Sequence, residues 1–551
     1  MSDSEIYLNT TLNQIPRLIS LLNRNPLSST YGCFDRSFWH YNTSDFACAR
    51  SQEAVLTLAL LYKISHTQNL YYKNSLILDW INAGLLFWGS IQESNGTFNE
   101  WYPKENSFVA TAFSSYAISE TLLQLGDMVQ DRDGIIFHLK KAVDWLGKID
   151  ENRAQNQEAG AAIASYNLYL LTKETKYKYL SEDKINFIIN NQATEGWFYE
   201  YGGADIGYLS LCIDYLAKYY SKYRGTNLLK VLENAVKFIS YFVHPDCTFG
   251  GGYGSRNTEY LIPHGFELLS DMYPDARVIS SHIREALRNK SSVFPNSVDD
   301  RYLSYILYTY LQAYIDSRKI RDDGVPRYDQ EFTKDFINSG IWIYSDDEFY
   351  LITNYKMGCP FVLSFKRNQY SIYDSGVQVK TKNEGNLISS HLSSRNVSHV
   401  SESCINVSGY MHKIKDNLVN PEKIILLRLF GLTVGRYDTI GLILKDKLRD
   451  KLITGSNSTN ATFRREISIN EHIVEIKDDI CMREDIDELI IGSKASYIYV
   501  PSSRYFQKSE LDSHQIVYND FNNTDQDTIS VTRIYNRTGE LLNRQIKCNT
   551  G

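Results

Sequence analysis

The chain has 551 residues and a mass of 63.5 kDa, which is too long for one compact core and predicts at least two domains. Hydrophobic residues make up 43% and charged residues 22%, a balance that excludes a largely disordered chain. The net charge of −7, without any polybasic run, argues against a nucleic-acid binder. The sequence has no uninterrupted apolar run of about 18 residues, so we predict no membrane span.

The N-terminal stretch MSDSEIYLNTTLNQ carries acidic side chains where a signal peptide carries basic ones, so we expect a cytoplasmic protein.

The eight cysteines of the whole chain are scattered, without a C-x-x-C pair or a cysteine and histidine cluster at zinc-site spacing. This pattern favours free thiols in a reducing compartment. We therefore predict neither a metal site nor a cofactor.

From the start to about residue 320, apolar residues recur at spacings of three and four, which predicts a succession of helices. Loops rich in glycine or asparagine separate these helices. The predicted helical blocks are 51–66, 72–92, 107–126, 134–149, 157–173, 179–191, 206–221, 226–243, 258–272, 276–289 and 300–316.

One loop sequence repeats within this helical part. Gln92, Gly96, Phe98 and Glu100 recur one hundred positions later as Gln192, Gly196, Phe198 and Glu200. One hundred residues equal two units of ~50, the length of a helical hairpin with its loops. Such hairpins stack into an open solenoid or close into a ring, and we favour an α/α toroid of five to six hairpins. The repeated glycine and phenylalanine residues are expected to be structural.

After the charged stretch 316–332 the apolar period changes to two. Runs such as IWIYSDDEFYLITNY, PFVLSF, KIILLRLFGLTV, HIVEIKDDI, SYIYVPS and TISVTRIY are rich in β-branched and aromatic residues, with no helical blocks between them. They predict antiparallel sheets stacked as a sandwich. We place the toroid at 1–325, a linker at 326–335 and the β-sandwich at 336–551.

Closure of the ring would gather the repeated loops at one end of its central cavity. The polar and aromatic residues expected there are Glu100, Trp101, Tyr102, Asn106, Glu200, Tyr201, Asp205, Tyr208, Tyr253, Arg256, Asn257, Glu259 and His264. The stretch GGGYGSRNTEYLIPHG, 250–265, is the densest source of them, and its three glycines allow a close backbone approach. His40, in DRSFWHYN, is a further candidate. A carboxylate in this set could instead cap a helix.

This arrangement resembles the heparinase II/III-like polysaccharide lyases. In GCPFVLSFKRNQYSIYDSG, 358–376, the triplets Leu363-Ser364-Phe365 and Asp374-Ser375-Gly376 stand where the family has Leu-Ser-Phe and Asp-x-Gly. The stretch SSRNVSHVSESCINVSG, 393–409, is similar to the family's next strand pair. The resemblance implies a toroid, a β-sandwich and a glycan cleft between them.

The chain also departs from the family. Residues 357–361 read MGCPF where the family has His-x-His-x-Asp, and the family's Asn-His pair falls on Asn106-Ser107. His391 and His399 are candidates to replace the missing histidines.

The resemblance implies β-elimination of an acidic, uronate-containing glycan, with a tyrosine as base and acid. Removing a proton beside a carboxylate also needs a group that neutralises this carboxylate. The candidate neutralisers are Asn106, Arg256, Asn257 and His264, and the candidate bases are Tyr201, Tyr208, Tyr253 and Tyr260. The residues expected to bind substrate are His40, Glu100, Trp101, Tyr102, Glu200, Tyr201, Asp205, Tyr208 and Glu259.

Three alternatives stay open at this point. A glycoside hydrolase on the same toroid would use two carboxyl groups drawn from Glu100, Glu200, Asp205 and Glu259. A catalytically inactive glycan-binding or polysaccharide-biosynthesis accessory protein would explain the missing histidines. A terpene cyclase would explain Gln192-Ala-Thr-Glu-Gly-Trp, but the sequence lacks a D-D-x-x-D cluster.

Overall fold

The helices of the N-terminal half form a closed ring. The computed structural model of the protein describes residues 3–225, 227–317, 324–382, 385–414, 420–433, 457–482, 486–494, 508–511, 515–519 and 528–549, and the single residues 447, 455 and 506. The helices of the first half are α1 Glu5–Leu12, α2 Ile15–Leu21, α3 Arg36–Trp39, α4 Ala54–Lys63, α5 Ser75–Ser90, α6 Phe108–Leu125, α7 Arg132–Leu146, α8 Gln155–Thr172, α9 Thr175–Asn190, α10 Ile206–Tyr223, α11 Asn227–Ile239, α12 Pro263–Leu269, α13 Pro274–Asn289 and α14 Asp300–Asp316. Nowhere in the described ranges is a helix both long and apolar enough to pass through a membrane.

The inner wall of the ring consists of α4, α6, α8, α10, α12 and α14. Each packs against the next, and α14 packs against α4, which closes the ring. The alternate helices α5, α7, α9, α11 and α13 lie outside, and α1 completes the outer layer against α13 and α14. Small residues permit the close inner packing: a Cβ at Gly160 of α8 would lie 2.5 Å from the ring of Phe113 in α6. The predicted toroid is confirmed.

The repeated glutamine and glycine build the scaffold of this ring. The Gln92 side chain donates to the carbonyls of Gly96, at 3.0 Å, and of His138 in α7, at 2.8 Å. Gln192 makes the same pair of bonds, to Gly196 and to a carbonyl of α11, both at 2.9 Å. Each glutamine therefore ties the turn after one outer helix to the next outer helix, which gives the repeat a structural cause.

We expect Gly196→Ala to lower the free energy of unfolding by about 2–4 kcal/mol, because the alanine would have a strained backbone angle and its Cβ would overlap a neighbouring carbonyl group. Gly196 has a φ of +104°, and a Cβ would lie 2.3 Å from the carbonyl oxygen of Asn234. Gly126→Ala is the matched control, since its φ is +56° but no atom lies within 4 Å of the added Cβ. Denaturant unfolding of both variants checks this, and equal losses would contradict it.

The C-terminal half is built from two antiparallel sheets. Its strands are β1 Phe332–Phe336, β2 Ile341–Ser345, β3 Phe349–Asn354, β4 Phe361–Phe365, β5 Tyr370–Asp374, β6 Gln378–Thr381, β7 Gly385–Ile388, β8 Val397–Val400, β9 Cys404–Lys413, β10 Ser458–Asn470, β11 Ile473–Cys481, β12 Ile486–Ile491, β13 Ile516–Tyr518, β14 Thr528–Asn536 and β15 Leu541–Asn549. Strands β1 to β5 form a meander in chain order. The larger sheet has the order β13-β12-β6-β7-β9-β10-β11-β14-β15, with β8 paired to β9. The predicted antiparallel β-sandwich is confirmed.

The five-stranded sheet is the middle layer of the molecule. Side chains of Ile343 and Ile352 share the core of the toroid, while those of Leu351 and Leu363 pack in the core between the two sheets. Burial on both faces explains why β3 reads FYLITN and is buried throughout. The first strand begins at Phe332, inside the stretch expected to be a linker, and the predicted domain limits remain a prediction.

One predicted strand is wrong. Most of the run KIILLRLFGLTV lies in a helix, α15 Pro421–Leu432. Asn420 caps this helix by accepting a hydrogen bond from the backbone N–H of Glu422 at 2.8 Å, and Pro421 occupies its first turn. Leucine and arginine are strong helix formers, so capping and propensity outweigh the two isoleucines. The predicted strand SYIYVPS lies outside the described residues.

Candidate functional site

Five of the six inner helices begin at the same end of the toroid, which we call the rim. The side chains of Ser107, Asp205 and Asp299 cap α6, α10 and α14 by accepting backbone N–H groups of the first turn. Backbone hydrogen bonds join neighbouring rim loops, such as Gln155 N–H to the carbonyl of Tyr199 at 3.3 Å. The β domain closes over one side of the rim, where Leu392 packs against the loop at Gly202.

Arg256 forms the most unusual part of the rim. Its side chain lies 5.1 Å above the ring of Tyr201, and Nη2 donates to the carbonyl of Tyr201 at 3.4 Å. Nε and Nη1 are buried and have no hydrogen-bond partner among the described residues, although the residue is only 4% exposed. Burial lowers the pKa of Arg256, against the raising effect of Glu200, Tyr201, Asp205 and Tyr208. The rim thus holds a buried guanidinium with two unused donor atoms next to two tyrosines.

Two carboxyl groups lie close to Arg256. Glu200 is 3% exposed and accepts a hydrogen bond from the Asn156 amide at 2.5 Å. Burial and then the charge of Asp205 raise the pKa of Glu200 well above its usual value. Asp205 accepts from the backbone N–H of Arg256 at 3.0 Å and from the hydroxyl of Thr258. Asp205 therefore clamps the 250–258 loop onto α10, as well as capping that helix.

A second polar cluster occupies the rim near the start of α14. Glu100 Oε1 lies 3.4 Å from Arg301 Nη2 and 3.8 Å from Arg50 Nη1. The Arg301 guanidinium stacks 3.8 Å from the ring of Trp101, which is 50% exposed. An exposed indole backed by a guanidinium provides a flat surface on which a sugar ring can stack.

Tyr260 connects the two clusters. It is buried, and burial raises its pKa well above the usual value, with smaller effects from Asp205, Glu200 and Arg50. Charges from both clusters therefore act on this one hydroxyl. The rim holds Glu100, Glu200 and Arg256 at one end of the ring.

Tyr253 lies away from the open side of the rim, in a buried hydrogen-bond chain. Its hydroxyl is 2.9 Å from His244 Nε2, and His244 Nδ1 is 2.8 Å from Thr248 Oγ1. Thr248 donates to Asp246 at 2.6 Å, and Tyr373 of β5 lies 2.5 Å from the same threonine oxygen. A carboxylate only accepts, so Thr248 gives Asp246 its single proton and must accept from Nδ1–H. His244 Nε2 therefore accepts the hydroxyl proton of Tyr253.

We expect imidazole nitrogen NMR to find His244 neutral, with the proton on Nδ1, down to about pH 4. Burial is the main cause, and it lowers the pKa of His244 to about 4. Tyr253→Phe would leave Nε2 buried without a donor and should cost about 1–3 kcal/mol of unfolding free energy. Tyr199→Phe is the control, because Tyr199 is 46% exposed. A proton on Nε2 would contradict the hydrogen-bond directions inferred for Tyr253, His244 and Thr248.

His264 lies well below the rim, between the middle of α10 and the last residue of α14. Residues 258 to 262 run along α10 before α12 begins, as the Ile262 N–H bond to Ser210 Oγ at 2.9 Å shows. His264 reaches Asp214 at 3.2 Å and Asp316 at 2.9 Å. Asp214 is nine residues beyond Asp205 on α10, so His264 sits about 13 Å below the rim at 1.5 Å per residue. Burial lowers its pKa, but the two aspartates outweigh this effect and raise it.

The other predicted residues lie in several parts of the toroid. Asn106 is buried and accepts from the Thr97 hydroxyl at 2.8 Å, and Asn257 is buried at a left-handed turn with a φ of 54°. Glu259 lies 3.4 Å from Lys494 of the β domain. Tyr102 is half-buried, and His40 is exposed beside Trp39.

The β domain supplies one histidine near the rim. His391 precedes Leu392 and stacks on His412, with ring centroids 4.5 Å apart. Burial, followed by the charges of His391 and Arg395, lowers the pKa of His412 to about 4. His399 is exposed on the edge strand β8. Of the two candidates, His391 is thus the one that the fold places next to the rim.

Sequence reasoning missed His244, Arg50 and Arg301. Arg50 and Arg301 each stand at the start of an inner helix, a position that the repeat could have identified. Neither follows a glutamate and aromatic pair, so the repeated motif did not include them. His244 is nine residues before Tyr253, and only the fold of the intervening loop brings the two together.

Comparison with known proteins identifies the fold class. No family model and no curated protein matches this sequence. The fold is similar to that of the chondroitin AC lyase of Streptomyces coelicolor A3, solved with chondroitin sulphate, with a TM-score of 0.51 at 10% identity over 88% of this chain and 67% of that one. Heparinase III gives a TM-score of 0.44 at 10% identity, over 98% and 95% of the two chains. The likeness to the chondroitin lyase shows a shared toroid and β-sandwich, and the fold alone.

Proposed function

We propose that this chain cleaves an acidic, uronate-containing glycan by β-elimination in the cleft between the rim and the β domain. The observation that carries the proposal is Arg256, whose Nε and Nη1 are buried without hydrogen-bond partners among the described residues. Leaving such donors unpaired is costly, and a planar guanidinium matches a carboxylate in a two-point contact, which here would pair Nε or Nη1 with the second N–H of Nη2. The fold shared with a chondroitin lyase supports a glycan substrate.

The reaction would use the groups around Arg256. Its charge neutralises the uronate carboxylate, which makes the adjacent C–H more acidic. Tyr208 or Tyr201, acting as its phenolate, takes this proton, the electron pair forms a C=C bond, and the bond from the ring to the glycosidic oxygen breaks. The same tyrosine returns the proton to the departing oxygen. Both tyrosines are half-buried and lie within the electrostatic reach of Arg256.

The second cluster would hold a neighbouring sugar unit. Trp101 offers an exposed ring, and Arg301 and Glu100 offer a donor and an acceptor for hydroxyl groups beside it. A chain lying across the rim would thus stack at Trp101 and react at Arg256.

Glycoside hydrolysis is the second candidate, because Glu200 has the raised pKa that a general acid needs. Asp205 is a poor partner for it, since Asp205 is already occupied by the hydrogen bonds of the 250–258 loop.

One assay separates these functions. Purified protein is incubated with polygalacturonate, alginate and chondroitin, and ultraviolet absorbance and reducing ends are recorded together. Rising absorbance from an unsaturated uronate supports the lyase. New reducing ends without absorbance identify a hydrolase, and binding without either product identifies a glycan-binding protein.

A further inference from the structure

A cavity of about 360 Å³ lies on the outer side of the toroid, far from the rim. It opens between α9, α10 and the start of α11. Helix α10 begins at the rim, and Tyr219 and Tyr223 in the cavity wall stand in its last turns. Its volume lies within the range of cavities that hold small ligands, ≈ 300–1,000 Å³. Most of the length of α10 therefore separates this cavity from the cleft at the rim.

The cavity has an apolar floor and a rigid aromatic wall. Ile185 and Leu228 are buried in the floor. The rings of Tyr219 and Tyr223 have centroids 5.3 Å apart, and Tyr166 packs edge-on against Tyr223 at 5.6 Å. Because these rings fix one another, Tyr223 is a preformed part of the cavity wall and loses little entropy when a ligand binds.

Polar groups surround the opening. Glu182 accepts the hydroxyl proton of Tyr223 at 2.7 Å and faces Lys178 at 3.7 Å. Asn186 and Asn227, both exposed, also line the cavity. Amides and a carboxylate around an aromatic surface can pair with the hydroxyl groups of a sugar whose apolar face rests on the ring.

We propose that this cavity binds an uncharged sugar unit, as a second saccharide site outside the cleft. Among the described lining residues the one charged group is the Glu182 carboxylate, and it is paired with Lys178 at 3.7 Å, so the lining has no net charge to attract a uronate. The ligand class is thus a neutral hexose or N-acetylhexosamine. This site does not depend on the chemistry proposed for the rim.

Saturation-transfer NMR and titration calorimetry with cellopentaose and chitopentaose test the site, with pentagalacturonate as the acidic probe. We expect one of the neutral probes to bind, and Asn186→Trp, which fills the opening, to weaken that binding at least tenfold. Glu182→Gln should weaken it less. Asp183→Asn, on the same helix but outside the lining, is the matched control and should bind as the native chain does.

Cleavage of acidic glycan is measured in parallel and should be unchanged in Asn186→Trp. The proposal is overturned if neither neutral probe binds, or if Asn186→Trp binds them as tightly as the native protein. If neither the native protein nor any variant cleaves acidic glycan, the lyase proposal fails but the binding result still stands. The two proposals therefore fail separately.

Discussion

Arg256→Met should abolish cleavage of acidic glycan, lowering kcat/KM by about 10³-fold or more. Removal of one preorganised group that stabilises developing negative charge costs on the order of 10²–10³ in rate, and here the group carries a full charge in a buried position. Initial rates of unsaturated uronate formation, measured across substrate concentrations, check this expectation.

The same variant separates function from structure. Arg256 makes one side-chain hydrogen bond to a carbonyl and keeps two donors unused, so Arg256→Met should retain or increase the free energy of unfolding. Arg256→Lys should recover part of the rate, because it restores the charge without the two-point geometry. Arg224→Met, at the exposed C-terminal end of α10, is the control. An Arg256→Met protein that is fully active, or that fails to fold, would remove Arg256 from the proposed site.

The repeated motif predicted the ring because each copy performs the same local task. Gln92 and Gln192 make matching bonds, and a spacing of two hairpins is visible in the sequence. Closure of the helical hairpins into a ring forms the rim and brings Glu200 and Arg256 together, although they are 56 positions apart in the sequence.

The exceptions arise where the chain leaves the repeat. Residues 258 to 262 run down along α10, which carries His264 below the rim, and the loop before them turns Tyr253 towards His244. No periodic pattern encodes such a path. Helix α15 was missed because a short apolar run fits a strand or a helix equally well, and its Asn-Pro start decides between them.

A buried ion network explains the Asp-Ser-Gly motif of the β domain. Asp374, at the end of β5, lies 2.9 Å from Arg465 and 2.8 Å from Arg533. Asp478 bridges the same two arginines at 2.5 and 3.0 Å. All four side chains are at most 1% exposed, and Arg465 also donates to the carbonyl of Cys359 at 3.0 Å. The motif thus joins the small sheet to the large one, beside Cys359.

Asp374→Ala should therefore lower the free energy of unfolding by about 3–5 kcal/mol, because it leaves two buried guanidinium groups with one carboxylate. Burial alone would raise the pKa of Asp374, but Arg465 and Arg533 hold it below the usual value. A carboxylate with a lowered pKa contributes fully above the unfolded pKa of about 4, and this contribution is lost as the pH falls further. The native protein should thus lose stability in acid more steeply than Asp374→Ala.

Lys230→Ala, which breaks an exposed pair with Glu233, is the control and should cost under about 1 kcal/mol. Denaturant unfolding from pH 7 to pH 3 measures both effects, and similar losses in the two variants would show that the network does not hold the sheets together.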